Sequence, residues 1–139
     1  MIRELVFPPR LRLQLESEAR AAFPRECCGL IEGIRDCSMV EITFLHPTSN
    51  LRAENDRFEI DPAAQFRQIK AARARGADIV GCYHSHPNGK AEPSALDLAG
   101  GGEENFLWVI AGLTACQSDV TVAPFVFVKS RFVPVMLAV

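Results

Sequence analysis

Apolar residues recur first at helical spacing. Leu11, Leu15, Ala19, Ala22 and Phe23 share one face, and Pro24 follows at once, which predicts an amphipathic helix over about 11 to 23. The period then changes. Gly29 to Gly33 and Met39 to Leu45 read as two strands joined by the polar stretch Ile34 to Ser38, the pattern of a hairpin. Asp61-Pro62 offers a helix cap with proline at the first helical position, and Phe66, Ile69 and Ala72 mark one face before Gly76. Ala77 to His86 begins apolar and ends polar, as a buried strand does where it leaves a core. A turn-rich loop, Pro87 to Pro93, leads to a short helix opening near Ser94. Phe106 to Ala111, Thr121 to Lys129 and Arg131 to Val139 read as three strands, the last two separated by the tight turn Lys129-Ser130-Arg131.

This order of elements predicts an α/β fold, a mixed β-sheet flanked by helices, and the length of 139 residues suits one domain over 1–139. No internal repeat or low-complexity tract interrupts it. Fifteen basic against seventeen acidic residues give a net charge of -2, with no run of like charge, so nothing attracts nucleic acid or an acidic membrane. The N-terminus carries no secretory signal pattern, and no uncharged segment reaches the length of a membrane span. Five cysteines, Cys27, Cys28, Cys37, Cys82 and Cys116, form neither a metal-finger pattern nor an even set for disulfides. Free thiols point to a reducing compartment, and the cytoplasm is the expected location.

The chemistry gathers at the end of the strand Ala77 to His86. Side chains alternate along a strand, so His84 and His86 project from the same face, about 7 Å apart along the chain. Ser94 and Asp97 are three apart, which places hydroxyl and carboxylate on one side of a helix start. Two imidazoles and a carboxylate leave one tetrahedral position of zinc for water, the donor set of a catalytic site. Each piece has a plainer reading. His-x-His can be two surface histidines, and Ser94-x-x-Asp97 is also an ordinary capping box. Together they favour the metal, since two of only three histidines share a strand face just before a cap that carries a carboxylate. Cys82 lies on the same face but reads as a buried apolar thiol. His46 reads as a solvated loop histidine outside the site, and Cys27 and Cys28 as structural.

His84-Ser85-His86-Pro87, followed by seven residues to Ser94 and then Asp97, resembles the JAMM (MPN-type) zinc metallopeptidase motif at every motif position. Glu26-Cys27-Cys28-Gly29-Leu30 looks like the family's upstream glutamate segment, and Asn55 to Pro62 and Gly81-Cys82-Tyr83 are also similar to it. The likeness spans roughly residues 11 to 112.

The resemblance implies an MPN/JAMM-like fold related to the cytidine deaminase-like architecture, with Zn2+ held by His84, His86 and Asp97. It implies Glu26 as the group that takes a proton from the zinc-bound water and passes it to the departing amine. Ser94 would donate a hydrogen bond to the oxyanion. Spacing alone does not select Glu26, and Glu92 would serve that argument equally well. The family removes ubiquitin and ubiquitin-like proteins at a C-terminal Gly-Gly. The short loop Asn88 to Pro93 is similar to that of the compact stand-alone prokaryotic members, which implies a ubiquitin-like or sulfur-carrier protein as partner. Two other readings stand beside it, a non-proteolytic MPN-type binding or scaffold module and a cell-wall peptide hydrolase. A base deaminase is excluded, because His-x-Glu and Pro-Cys-x-x-Cys are both missing. The segment Leu113 to Ser118 is unfamiliar beside these motifs, which leaves the substrate unassigned by it, and no oligomeric state is assigned.

Overall fold

The computed structural model describes residues 1–116 and 119–138. Gln117 and Ser118 of the unfamiliar segment, and Val139 of the last predicted strand, lie outside the described residues. The elements run β1 (Glu4–Val6), α1 (Pro9–Ala22), β2 (Cys28–Asp36), β3 (Met39–Thr48), α2 (Pro62–Ala74), β4 (Asp78–His86), α3 (Ala95–Gly100), β5 (Phe106–Gly112), β6 (Thr121–Val128), β7 (Arg131–Pro134) and β8 (Met136–Leu137). The strands form one mixed sheet in the order β7-β6-β5-β4-β2-β3-β1-β8, with parallel pairing at β4–β5, β1–β3 and β1–β8.

Alternation along the strands divides the core between the two faces. Tyr83, Leu107 and Val109 join Leu11, Leu15 and Ala19 of α1 in one cluster, whereas Cys82, Phe106 and Trp108 join Ala72 of α2 in the other. His84 and His86 have the parity of Cys82 and so face the second cluster. β4 lies between β2 and β5 near the middle of the sheet, where backbone pairing on both sides leaves its end little freedom. Tyr83 anchors it further. Its hydroxyl donates to Glu18 Oε1 of α1 at 2.6 Å, and its ring fills the space beside Gly29, where a Cβ would approach to 2.3 Å.

Several expectations are corrected. The first hairpin turn is only Cys37-Ser38, so β2 extends past Gly33 to Asp36, and at its other end β3 runs past Leu45 to Thr48. His46 is therefore a strand residue, half-buried, and its Nε2 lies 2.8 Å from Glu32 Oε1. Phe66 is 63% exposed, and α2 packs through Ala72 and Ile69 instead. The short strand β1 has no periodic signal in the sequence. The last predicted strand is two: β7 pairs with β6, and one residue later β8 pairs with β1 at the opposite end of the strand order. Val135 N–H donates to Pro124 and Met136 N–H to Arg3, so one segment borders both edges and curls the sheet toward closure.

Candidate metal centre

Three elements meet at the C-terminal end of β4. His84 is fully buried and His86 is 3% exposed, which removes the surface reading of His-x-His. Ser94 caps α3, and the capping reading of Ser94-x-x-Asp97 holds: Asp97 N–H donates to Ser94 Oγ at 3.0 Å, and Ser94 N–H donates to Asp97 Oδ2 at 2.9 Å. That box does not compete with a ligand role. The same Oδ2 lies 3.1 Å from Nε2 of both His84 and His86, and those two nitrogens are 3.0 Å apart.

The donor set fits a small divalent ion. Ligand atoms on a tetrahedral zinc with bonds near 2.0–2.1 Å are spaced by about 3.3 Å, close to the separations above. His86 Nδ1–H donates to the Lys90 carbonyl at 2.9 Å, and because a carbonyl only accepts, Nε2 presents its lone pair to the cluster. A carboxylate oxygen and such a nitrogen at 3.1 Å need positive charge between them, a proton or a metal cation. His84 is held differently. Its Nδ1 is buried with no hydrogen-bond partner among the described residues. Its ring is fixed by packing instead, stacked on Phe58 with centroids 4.3 Å apart and edge-on to Trp108 at 5.7 Å.

Glu26 stands two residues before β2 and is 3% exposed. It also forms a donor group with His84 and His86, all ligand atoms within 4.8 Å. The tighter set is the one with Asp97, in contact with both imidazoles, whereas Glu26 makes no hydrogen bond to either ring and its Oε1 is buried without a partner. Glu26 thus stands beside the set of His84, His86 and Asp97 rather than within it. Glu92, the other acid considered, is exposed.

Burial pushes the Glu26 carboxyl up to about 8, with the nearby Asp97 charge adding to the rise and His86 opposing it. Burial would also raise Asp97, but the hydrogen bonds of His84 and His86 outweigh it and hold that carboxyl well below the usual range. Burial drives the Cys27 thiol up to about 12 and that of Cys82 well above its ordinary value, which makes both poor nucleophiles at neutral pH.

Two cavities flank the cluster. A cleft of about 310 Å³ is lined by Glu26, His86, Ser94, Asn55 and Asp56. A larger cavity of about 440 Å³, walled by Phe58, Ile60, Leu96, Phe106 and Trp108, reaches Asp97 from the other side. Glu26, His86 and Ser94 face the smaller one, whereas Asp97 lines the larger, whose apolar walls are joined by Arg52, Arg57 and Glu59. The structure therefore brings together all five residues singled out from the sequence. No spacing in the sequence marks Phe58 or the Lys90 carbonyl as part of the site. Phe58 belongs to a segment without secondary structure, and only the familiar look of Asn55 to Pro62 pointed there.

The profile of prokaryotic homologs of the JAB domain matches residues 8–124. A desampylase of Haloferax volcanii is 36% identical over 88 residues, which is 63% of this chain and 62% of that protein. A probable TtuB-protein conjugate cleaving protease of Thermus thermophilus is 36% identical over 76 residues, 54% of this chain and 48% of that protein. The chain thus spans less than two thirds of the length of either relative. A solution structure of a protein from Desulfitobacterium hafniense superposes with a TM-score of 0.85 at 28% identity, covering 99% of this chain and 92% of that one.

Proposed function

This chain belongs to the family of prokaryotic homologs of the JAB domain, and on that premise we propose that it is a zinc-dependent isopeptidase of JAMM type. Residues 1–139 would act as one domain, hydrolysing the amide bond after the C-terminal Gly-Gly of a ubiquitin-like or sulfur-carrier protein. The observation that carries the reading is the cluster of His84 Nε2, His86 Nε2 and Asp97 Oδ2 at 3.0–3.1 Å, flanked by Glu26 and Ser94. The desampylase and conjugate-cleaving relatives support the substrate class.

In this reading His84, His86 and Asp97 hold the metal. Bound there, zinc supplies Lewis acidity and brings the pKa of a water down to roughly 7. Glu26 is the base: a cation held beside it opposes the burial that raises its carboxyl and favours the carboxylate, whose buried Oε1 borders the same cleft as Ser94 and takes the proton of the attacking water. Ser94 Oγ already accepts from Asp97 N–H, which leaves its own hydrogen to donate to the oxyanion at the carbonyl. Glu26 then gives its proton to the amine nitrogen as the C–N bond breaks. The larger cavity, with Phe58, Leu96 and Trp108 in its walls, suits the approach of an extended chain end.

The test pairs metal analysis with cleavage. Protein purified without chelator should carry about one zinc per chain, and His84→Ala should carry almost none. A peptide ending in Gly-Gly joined to a lysine ε-amine should be cut, and a cell-wall peptide should not. Equal zinc in both proteins, or cleavage of the cell-wall peptide alone, overturns the reading.

A further inference from the structure

We propose that Asn50 is a positioning residue which, through one side-chain amide, fixes both the proposed base Glu26 and the ring of His84. The inference rests on the isopeptidase reading for its catalytic consequence. It does not need that reading for its geometry.

The segment from Ser49 to Asp61 has no helix or strand, and Leu51 to Asp56 are all exposed. Its one cross-loop backbone bond among the described residues closes the neck, from Leu51 N–H to the Glu59 carbonyl at 3.0 Å. Asn50 supplies four more. Its Oδ1 accepts from Arg52 N–H at 2.9 Å and from Glu59 N–H at 3.1 Å. Its Nδ2 donates to the carbonyls of Glu26 and Arg57, both at 3.1 Å. Every capacity of the amide is used, and its orientation is unambiguous, since one end meets only N–H groups and the other only carbonyls. Arg25 Nη2 reinforces the neck by donating to the carbonyls of Asn50 and Arg52.

What this clamp holds is functional on both sides. The Glu26 carbonyl belongs to the residue whose carboxylate borders the cleft. The Arg57 carbonyl immediately precedes Phe58, the ring stacked on His84. His86 is oriented by a hydrogen bond from its Nδ1, but His84 Nδ1 has none among the described residues, so the Phe58 contact carries a larger share of its positioning. Asn50 is therefore the point through which the loop, the base and the His84 imidazole share one geometry. Misplacement of reacting groups by about 1 Å is enough to cost about a hundredfold in rate.

The experiment compares the zinc-saturated parent with Asn50→Asp and Asn50→Ala. The aspartate variant keeps the acceptors for Arg52 and Glu59 but loses the two donations that join Glu26 to Arg57. Turnover of the Gly-Gly isopeptide probe should fall about tenfold to a hundredfold in kcat in both, with KM changed by less than about twofold. Trp108, the one tryptophan of the chain, is 7% exposed and edge-on to Phe58 at 5.8 Å. Its quenching by acrylamide should rise in both variants. If the variants melt at lower temperature but, when fully folded, match the parent in kcat and in Trp108 shielding, Asn50 only supports the fold and the inference is overturned. Loss of shielding with unchanged kcat overturns it equally. Should the parent cut no probe, the isopeptidase reading fails, while Trp108 shielding still decides whether the clamp exists.

Discussion

Phe58 lies nearly flat on the imidazole of His84, with ring centroids 4.3 Å apart and planes inclined by 22°. An aromatic pair of this kind contributes about 0.5–1.5 kcal/mol beyond its area burial. Here the ring has no Nδ1 hydrogen bond among the described residues to fall back on. Phe58→Ala should therefore weaken zinc binding by up to about tenfold, the equivalent of the upper end of that range, with the fold retained. Competition against a chromogenic chelator measures it. Unchanged affinity would mean that backbone pairing of β4 alone fixes His84.

Away from the cluster, Glu32 is 1% exposed and accepts from Arg75 Nε at 3.2 Å, with His46 Nε2 at 2.8 Å. Burial alone would raise this carboxyl, but the Arg75 and His46 hydrogen bonds hold it below its ordinary value of 4.5. A depressed folded pKa means stability that is fully present above pH 4.5 and is lost as pH falls through the lower folded value. Glu32→Gln should cost about 1.5–3 kcal/mol at pH 7, the range for hydrogen bonds to a charged group. The gap between parent and variant should shrink as pH falls below 4.5. Urea unfolding across that range checks both statements.

Much of the candidate site was legible in the sequence because its members obey local periods. His84 and His86 are two apart on a strand, and Ser94 and Asp97 are three apart at a cap, so pairing and capping geometry alone turn them in common directions. Glu26 was legible only through family resemblance, since the antiparallel pairing of β2 with β4 is what brings it beside His84. Asn50 and Phe58 were illegible for a different reason. Their loop has no period, and its shape depends on side-chain bonds that no spacing rule encodes. The fold divides in the same way. The long strands and both long helices follow their patterns, with Phe66 of α2 the exception, whereas β1 and β8 are too short for one and exist because partners are already in place.

The β6–β7 turn shows what composition concealed. Lys129 and Ser130 both have positive φ, 52° and 61°, the conformation of a two-residue type I′ hairpin turn. Asn-Gly favours that shape, and Lys-Ser does not. Replacing the pair by Lys129→Asn with Ser130→Gly should stabilise the fold by about 0.5–1 kcal/mol, read as a higher melting temperature. Lys129 N–H donates to Glu104 through its backbone, so the substitution keeps that contact.

Asp97 serves two masters, and one substitution separates them. Its Oδ2 accepts Ser94 N–H in the capping box and faces both histidines. Asp97→Asn retains an amide oxygen able to accept from Ser94, so α3 should stay capped. It removes the negative charge that a divalent cation needs opposite two neutral imidazoles. Zinc affinity should then fall by at least about a hundredfold, at the upper end of losses seen even for outer-shell partners, while the zinc-free melting temperature changes little. Asp97→Ala loses the side-chain half of the cap as well, and its zinc-free form should be about 1 kcal/mol less stable than that of Asp97→Asn. Calorimetric zinc titration together with thermal melts of the stripped proteins reads both quantities. If Asp97→Asn binds zinc like the parent, the carboxylate is a cap and nothing more, and the ion must find its third protein ligand in Glu26.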